Sequence, residues 1–403
     1  MPNDQESVQL RPAATQKVRT HLLKLPNELL QQIACNLTTD QDVFRLSRSC
    51  KAMWEKVFEA ESAFWRDRFA KHYDLPPGRS SRELKIEYQI RAIVLNSQIR
   101  FKGKEDERQY LWMEVMQTML EESLLARLAP GENSKTMHCI CKILKGMDFL
   151  SEFEKAGPSS PLFYALQLCL TPISLNPLTT QCCHRTDYDM EVVYSCREGV
   201  GKPYISHDNL DLRKLLHLRC FWQRHFLTVS EFTYFDSFTG LPPHLRPSMR
   251  KNNPADIPKL SRSWLGFFSD ENKTLELEPS EDLFWPEGCS KIIPLVGGSK
   301  TKRTYFDGKQ SNYGADELGH HVFGFTEEID HPHGGFQGWT RICFTIIEAR
   351  EGEEAKPSDL IMASEHWIYA YEAVIIPGGR LMLGRWVDMK DTEAKGPFIF
   401  WDV

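Results

Sequence analysis

The feature that most constrains this chain is a change of hydrophobic period across Pro242–Lys259, a break with five prolines and no repeat. Before it, apolar residues recur at three- and four-residue spacing, the period of a helix. After it come short segments rich in β-branched and aromatic residues: WLGFFS, HHVFGFTEEI, WTRICFTIIE, WIYAYEAVII, RLMLGRWVDM and PFIFWDV. IIPGGRLMLGRW reads as a hairpin through Pro377-Gly378-Gly379, glycines accepting the positive φ of a tight turn. Such a chain is expected to be α+β and multidomain, helical first and antiparallel β last. The β part is expected to close as a barrel or stack as a sandwich.

Size and charge narrow the partners. The 403 residues allow about two or three domains. A formal net charge of -6 argues against wholesale binding to nucleic acid or an anionic membrane, since both select a basic surface. The 11 cysteines are odd in number and sparse, so a disulfide framework is not expected. A secretory signal is not expected, and no run of about 20 apolar residues occurs. The expectation is a reduced protein of the cytoplasm, the nucleus or both.

Residues 1–19 are polar and aperiodic, and are expected to form a disordered arm. A compact helical unit is expected over 20–73, ended by the Pro/Gly/Ser punctuation of Asp74–Ser81. A mainly helical middle region is expected over 82–241, with helices at Glu83–Ile99, Glu105–Leu128, Lys135–Glu154, Leu162–Leu170 and Leu210–Leu227. DMEVVYSC reads as a strand within it. The β domain is expected over 260–403.

Within the first unit, Leu29, Leu30, Ile33 and Leu37 fall on one helical face, and Pro26 suits the first turn. Thr39 with Asp42 is a plausible cap for a second helix carrying Val43, Leu46, Cys50 and Trp54. Phe64, Trp65 and Phe69 mark a third. Three short amphipathic helices make a marginal core alone, so this unit is expected to need a partner. An ordinary helical hairpin, with its stripe buried inside this protein, is the competing reading.

LPNELLQQIACNLTTDQDVFRLSRSCKAMWEKV resembles the F-box: Leu-Pro, an acidic residue, paired apolar residues, a turn, Asp-Val, and Cys followed by Trp. The resemblance implies docking on the adaptor Skp1, and through it on a cullin-RING ubiquitin ligase. The residues it assigns to Skp1 binding are Leu25, Pro26, Leu29, Leu30, Ile33, Leu37, Val43, Leu46, Cys50 and Trp54. Helix-in-groove burial supplies the physical reason: apolar helix faces that cannot close a core internally are covered by the adaptor.

The C-terminal third is similar to a β region found in many fungal F-box proteins. Trp264-Leu265-Gly266-Phe267-Phe268, GWTRICF, WIYAYEAVIIPGGRLMLGRW and GPFIFWDV follow in the same order. It is more distantly similar to the cyclin-D-recognising F-box proteins of animals, whose substrate domain is barrel-like. Val387 stands where those fungal proteins carry a second Trp. Together these resemblances imply the substrate-recognition subunit of an SCF ubiquitin ligase, binding a protein substrate through its β domain. If the sheet closes, its mouth is expected to hold a peptide, with Trp264, Arg385 and Trp386 as contacts. Arg385 suits a carboxylate partner, although an internal ion pair is the plainer use of it.

Bond-making chemistry has little support in the residues. His320, His321, His331 and His333 surround Asp330, but HPHGGF is a Gly/Pro loop without a matching cysteine set. CCHR (Cys182–Arg185) with Cys196 lacks the spacing of a zinc knuckle, and Cys139 and Cys141 sit in a helical stripe. LSRSWLG lacks the glycines of a nucleophile elbow, and VGGSK (Val296–Lys300) follows no phosphate-loop pattern. No catalytic residue, metal or cofactor is expected. Two other classes remain: a small-ligand-binding barrel whose F-box governs its own turnover or location, and a metal enzyme using His320–His333.

Overall fold

The computed structural model describes residues 21–125, 133–152, 159–176, 187–194, 205–206, 209–230, 232–249, 260, 263–268, 272–282, 285–295, 302–314, 319–347 and 368–403. The expectations for residues 1–19, Cys182–Arg185, Cys196, Val296–Lys300 and Trp367 lie outside these, as does part of the second boundary. The described chain forms two compact units: the first ends at Lys71 and resumes at Pro77–Ala92, the second holds His72–Pro76 and Ile93–Val403. The punctuation Asp74–Ser81 spans one crossing between the units, at Pro76 and Pro77, and most of the helix that follows it belongs with the first unit. The rest of the helical middle shares one unit with the β region.

The first unit is built from α1 (Asn27–Cys35), α2 (Asp40–Ser47), α3 (Lys51–Met53) and α4 (Ala63–His72), joined by most of α5 (Ser81–Leu95). Thr39 caps α2, its hydroxyl accepting the Asp42 N–H at 3.1 Å. Beyond Met53 the helix widens into a π-helical turn over Trp54–Phe58. Leu30, Ala34, Val57, Phe58, Phe64, Trp65 and Phe69 are buried. Arg68 locks the arrangement: its guanidinium donates to Leu37 O at 2.6 Å, to Asp40 at 2.8 Å and to the Tyr88 hydroxyl at 3.0 Å. Tyr88 in turn donates to Asp40 at 2.5 Å. The α1–α2 turn, α4 and α5 thus meet at one buried cation, which explains why α5 belongs here.

In the second unit α6 (Glu107–Leu125), α7 (Lys135–Leu144), α8 (Pro161–Cys169), α9 (Thr171–Ser174), α10 (Met190–Tyr194), α11 (Leu212–Leu227) and α12 (Phe232–Gly240) form the helical part. A two-residue hairpin, β1 (Ile205–Ser206) and β2 (Asn209–Leu210), precedes α11. DMEVVYSC is not a strand over its described part: Met190–Tyr194 is helical. The Asp189 carboxylate accepts the Glu191 and Val192 N–H groups at 2.8 and 3.4 Å, and this local cap overrides the β-branched pair Val192-Val193. Asp74 is pinned rather than loose, accepting from the Ser134 hydroxyl and from Lys135 N–H at 3.0 Å.

Eight antiparallel strands close the second unit's barrel: β3 (Ser263–Phe267), β4 (Asn272–Pro279), β5 (Arg303–Asn312), β6 (His320–Glu328), β7 (Thr340–Ile347), β8 (Ile368–Ile375), β9 (Leu381–Asp388) and β10 (Lys395–Asp402). Helix α13 (Glu287–Ile292) lies between β4 and β5. Each strand pairs with its predecessor, and β10 pairs back onto β3 with Phe400 opposite Gly266. The expected hairpin is present, turning at Gly378 and Gly379 with φ of 103° and 72°. The sheet is closed, so the sandwich alternative falls.

One core gathers Trp264, Leu275, Phe306, Val322, Phe344, Tyr371, Met382 and Phe398, a side chain from every strand, which places it in the lumen. An eight-stranded lumen is just wide enough to be filled this way. Glycines on the same face give the rings room. A Cβ at Gly324 would approach Cys343 O at 2.1 Å and Phe344 Cα at 2.7 Å. Gly324→Ala is expected to destabilise the barrel by about 1–3 kcal/mol, read as a lower midpoint of guanidinium unfolding. An unchanged midpoint would show that the wall yields there.

Candidate functional site

Two places stand out, the surface of the first unit and the barrel mouth opposite the helices. On α1 the residues one turn apart, Leu29 and Ile33, are 44% and 43% exposed. On α2 Phe44 is 58% exposed, and Trp54 at the head of the π-helical turn is 44% exposed. A unit whose own core is already filled leaves these four large apolar side chains in water. Pro26 and Cys50 are also exposed, while Leu25, Leu37 and Leu46 are half-buried. Leu30 and Val43 are buried, so they pack within the unit and are not free to touch a partner. The reason is a rotation of about 100° between adjacent helical residues, which sends Leu29 outward and Leu30 inward. Phe44 was not anticipated; it follows Val43 in the stripe, and Arg48 lies 5.4 Å from its ring centre.

The barrel has unlike ends. Because the strands alternate in direction, the β4–β5, β6–β7 and β8–β9 connections share one end, and the other connections share the opposite one. The first end rests on helices. Gln117 of α6 donates to Gly335 O at 2.9 Å, a Cβ at Gly334 would strike Pro161 and Ala165 of α8, and Gly378 faces Leu124. On the barrel wall, Phe267 and Trp401 pack against Phe226 and Phe238 of α11 and α12.

At the opposite mouth, Phe268, Tyr369 and Trp386 form a half-buried aromatic rim over the lumen core. Tyr369 and Trp386 meet edge to face at 5.8 Å, Phe268 and Trp386 at 6.3 Å, and the Trp386 indole donates to Phe268 O at 3.0 Å. Lys273 sits 5.7 Å from the Phe268 ring centre. Beneath the rim Tyr371 stacks on Phe344 at 4.6 Å, and its buried hydroxyl has no hydrogen-bond partner among the described residues. Burial pushes that hydroxyl's pKa well up, with Tyr369 nearby adding to the effect. An unpaired buried hydroxyl costs about 1–3 kcal/mol, so Tyr371→Phe is expected to stabilise the barrel by about 1 kcal/mol in thermal unfolding. A fall in stability would reveal a hidden partner for the hydroxyl.

Of the three residues expected at the mouth, one lies there. Trp386 is on the rim. Trp264 is 0% exposed within the lumen core and is not reachable from outside. Arg385 faces the outer wall, because its neighbour Trp386 takes the inner one. There it pairs with Glu372 at 3.0 Å, so its carboxylate partner is internal. It ends a ladder of charges across five strands: Arg303–Glu327 at 3.7 Å, Glu327–Arg341 at 3.8 Å, Arg341–Glu372 at 2.7 Å, then Glu372–Arg385. Arg341 also donates to Pro294 O at 3.1 Å, which ties the segment after α13 to the wall. Burial opposes the charge on Arg341, yet Cys343 and the flanking carboxylates outweigh it and keep the group firmly protonated.

The histidines do not converge. His320 and His321 begin β6, whereas His331 and His333 lie beyond its other end, about 30 Å of strand away. Among the described residues, no group of three or more His, Cys, Asp or Glu side chains is placed to hold a metal ion. Cys343 is buried in the wall, which raises its thiol to about 12. Among the described residues no helix is long and apolar enough to cross a membrane. No protein-family model, curated protein or solved structure matches this chain.

Proposed function

We propose that this protein is the substrate receptor of an SCF ubiquitin ligase, docking on Skp1 through its first unit and holding a protein substrate at the aromatic-rimmed mouth of its barrel. One observation carries the reading. Leu29, Ile33 and Trp54, which the F-box resemblance assigns to the adaptor, are solvent-exposed on a unit whose core is complete without them. Covering the exposed part of such side chains gives about 1 kcal/mol each, a contribution suited to helix-in-groove docking. Catalysis in this reading is proximity: the receptor raises the local concentration of substrate lysines near a loaded conjugating enzyme.

The filled lumen weighs against a small ligand inside the barrel, since Trp264, Phe344, Tyr371 and Phe398 occupy the space a ligand would take. The mouth remains, and its aromatic rim suits stacking and apolar contact with an extended peptide. Co-purification of the full chain with recombinant Skp1 and the cullin amino-terminal domain tests the reading. A stoichiometric complex on gel filtration is expected; separate elution would overturn it.

A further inference from the structure

Lys85 lies on α5, well past the residues that resemble the F-box, yet it reaches back to the proposed docking face. Its ammonium sits 5.1 Å from the Trp54 ring centre and 5.3 Å from that of Trp65. It also donates to Phe58 O at 3.3 Å, the last carbonyl of the π-helical turn that Trp54 begins. Phe58 O accepts the Trp65 indole N–H as well, at 3.2 Å. The ammonium thus bridges an exposed indole and a buried one, with a carbonyl between. Partial burial lowers its pKa, so the cation has given up water for these contacts. An indole face is the best aromatic partner for a cation, and the attraction strengthens as water is excluded.

We propose that Lys85 is a positioning residue for adaptor docking: it holds the Trp54 indole in its outward pose, so the docking face extends beyond the F-box-like segment into α5. The inference rests on the Skp1-docking reading. Trp54 is 44% exposed, and a large side chain fixed before binding loses less freedom on docking. Helix α5 is able to do this because Tyr88, on the same helix, is tied to Asp40 and Arg68 within the same unit.

The test is a double-mutant cycle on the full chain, with the Kd for purified Skp1 measured by calorimetry. Lys85→Met, which keeps the length and removes the charge, is expected to weaken binding about fivefold, within the range of a partly exposed cation–π contact. Lys85→Arg is expected to recover most of that loss. In a Trp54→Ala background, Lys85→Met is expected to change nothing further, because the residue it positions is gone. Melting curves accompany every variant, and Lys85→Gln repeats the cycle should the Met variant melt early. Unchanged affinity in Lys85→Met overturns the inference, as does an equal loss in both backgrounds, which would mark a role in the fold alone. A wild-type chain that fails to bind Skp1 overturns the docking reading itself, and this role with it.

Discussion

Leu29→Asp combined with Phe44→Asp is expected to abolish Skp1 binding while leaving the melting temperature within a degree or two of wild type. Leu29 and Phe44 are 44% and 58% exposed in the free protein and lie outside its buried core, so aspartate there reaches solvent. In a docked complex the same positions would lie against an apolar groove, where an unpaired carboxylate is costly. Truncating a central interface anchor alone costs at least about 2 kcal/mol, so two charged replacements should weaken binding beyond about a thousandfold. The measurement is a calorimetric titration of each chain with Skp1, paired with thermal melts. Retained binding in the double variant would sink the docking assignment. A collapsed melt would show instead that these residues belong to the core.

The second large effect concerns the barrel. Glu372 is fully buried between Arg341 at 2.7 Å and Arg385 at 3.0 Å. Glu372→Ala removes the carboxylate that Arg341 and Arg385 share, while Arg341 keeps Glu327 at 3.8 Å. Breaking a buried pair in this way costs about 3–5 kcal/mol, because the abandoned charge stays buried. The loss here should lie at the lower end, since Arg341 keeps Glu327 and Arg385 is partly exposed. The expected readout is an early transition in guanidinium unfolding, followed by tryptophan fluorescence, with Glu372→Gln intermediate. A transition at the wild-type midpoint would mean that water reaches the ladder freely and the charges are screened. Skp1 binding by Glu372→Ala should be preserved, since the mutation lies in the second unit and the docking face in the first.

The parts of this fold written in local sequence were legible, and the parts written in long-range pairing were not. The Thr39 cap and the Gly378-Gly379 hairpin each depend on neighbours a few residues away. The sign of a helix face does not. Leu29 and Leu30 are the same residue type one position apart, and only the packing of α1 onto its neighbours decides which faces water. The Val192-Val193 pair misled for a similar reason, as one upstream carboxylate outweighed two β-branched side chains. For Arg385 the plainer reading, an internal ion pair, is what the structure holds, but its partner Glu372, thirteen positions away on the adjacent strand, was not legible. Trp264 read as a rim residue because closure of the sheet, and hence the existence of an interior, is a property of all eight strands together. Lys85 gave no signal, since its reach to Trp54 spans a turn and another helix.

The seam between β3 and β10 has a consequence for synthesis. Seven of the eight pairings join strands adjacent in sequence and can form as the polypeptide leaves the ribosome. The eighth brings Gly266 against Phe400, so it must wait until the last strand emerges. Until then β3 and β9 are two bare edges, each a template for unwanted pairing with another nascent polypeptide. Translation speed and chaperone occupancy over the final strand should therefore govern the yield of this protein more than the stability of the finished barrel does.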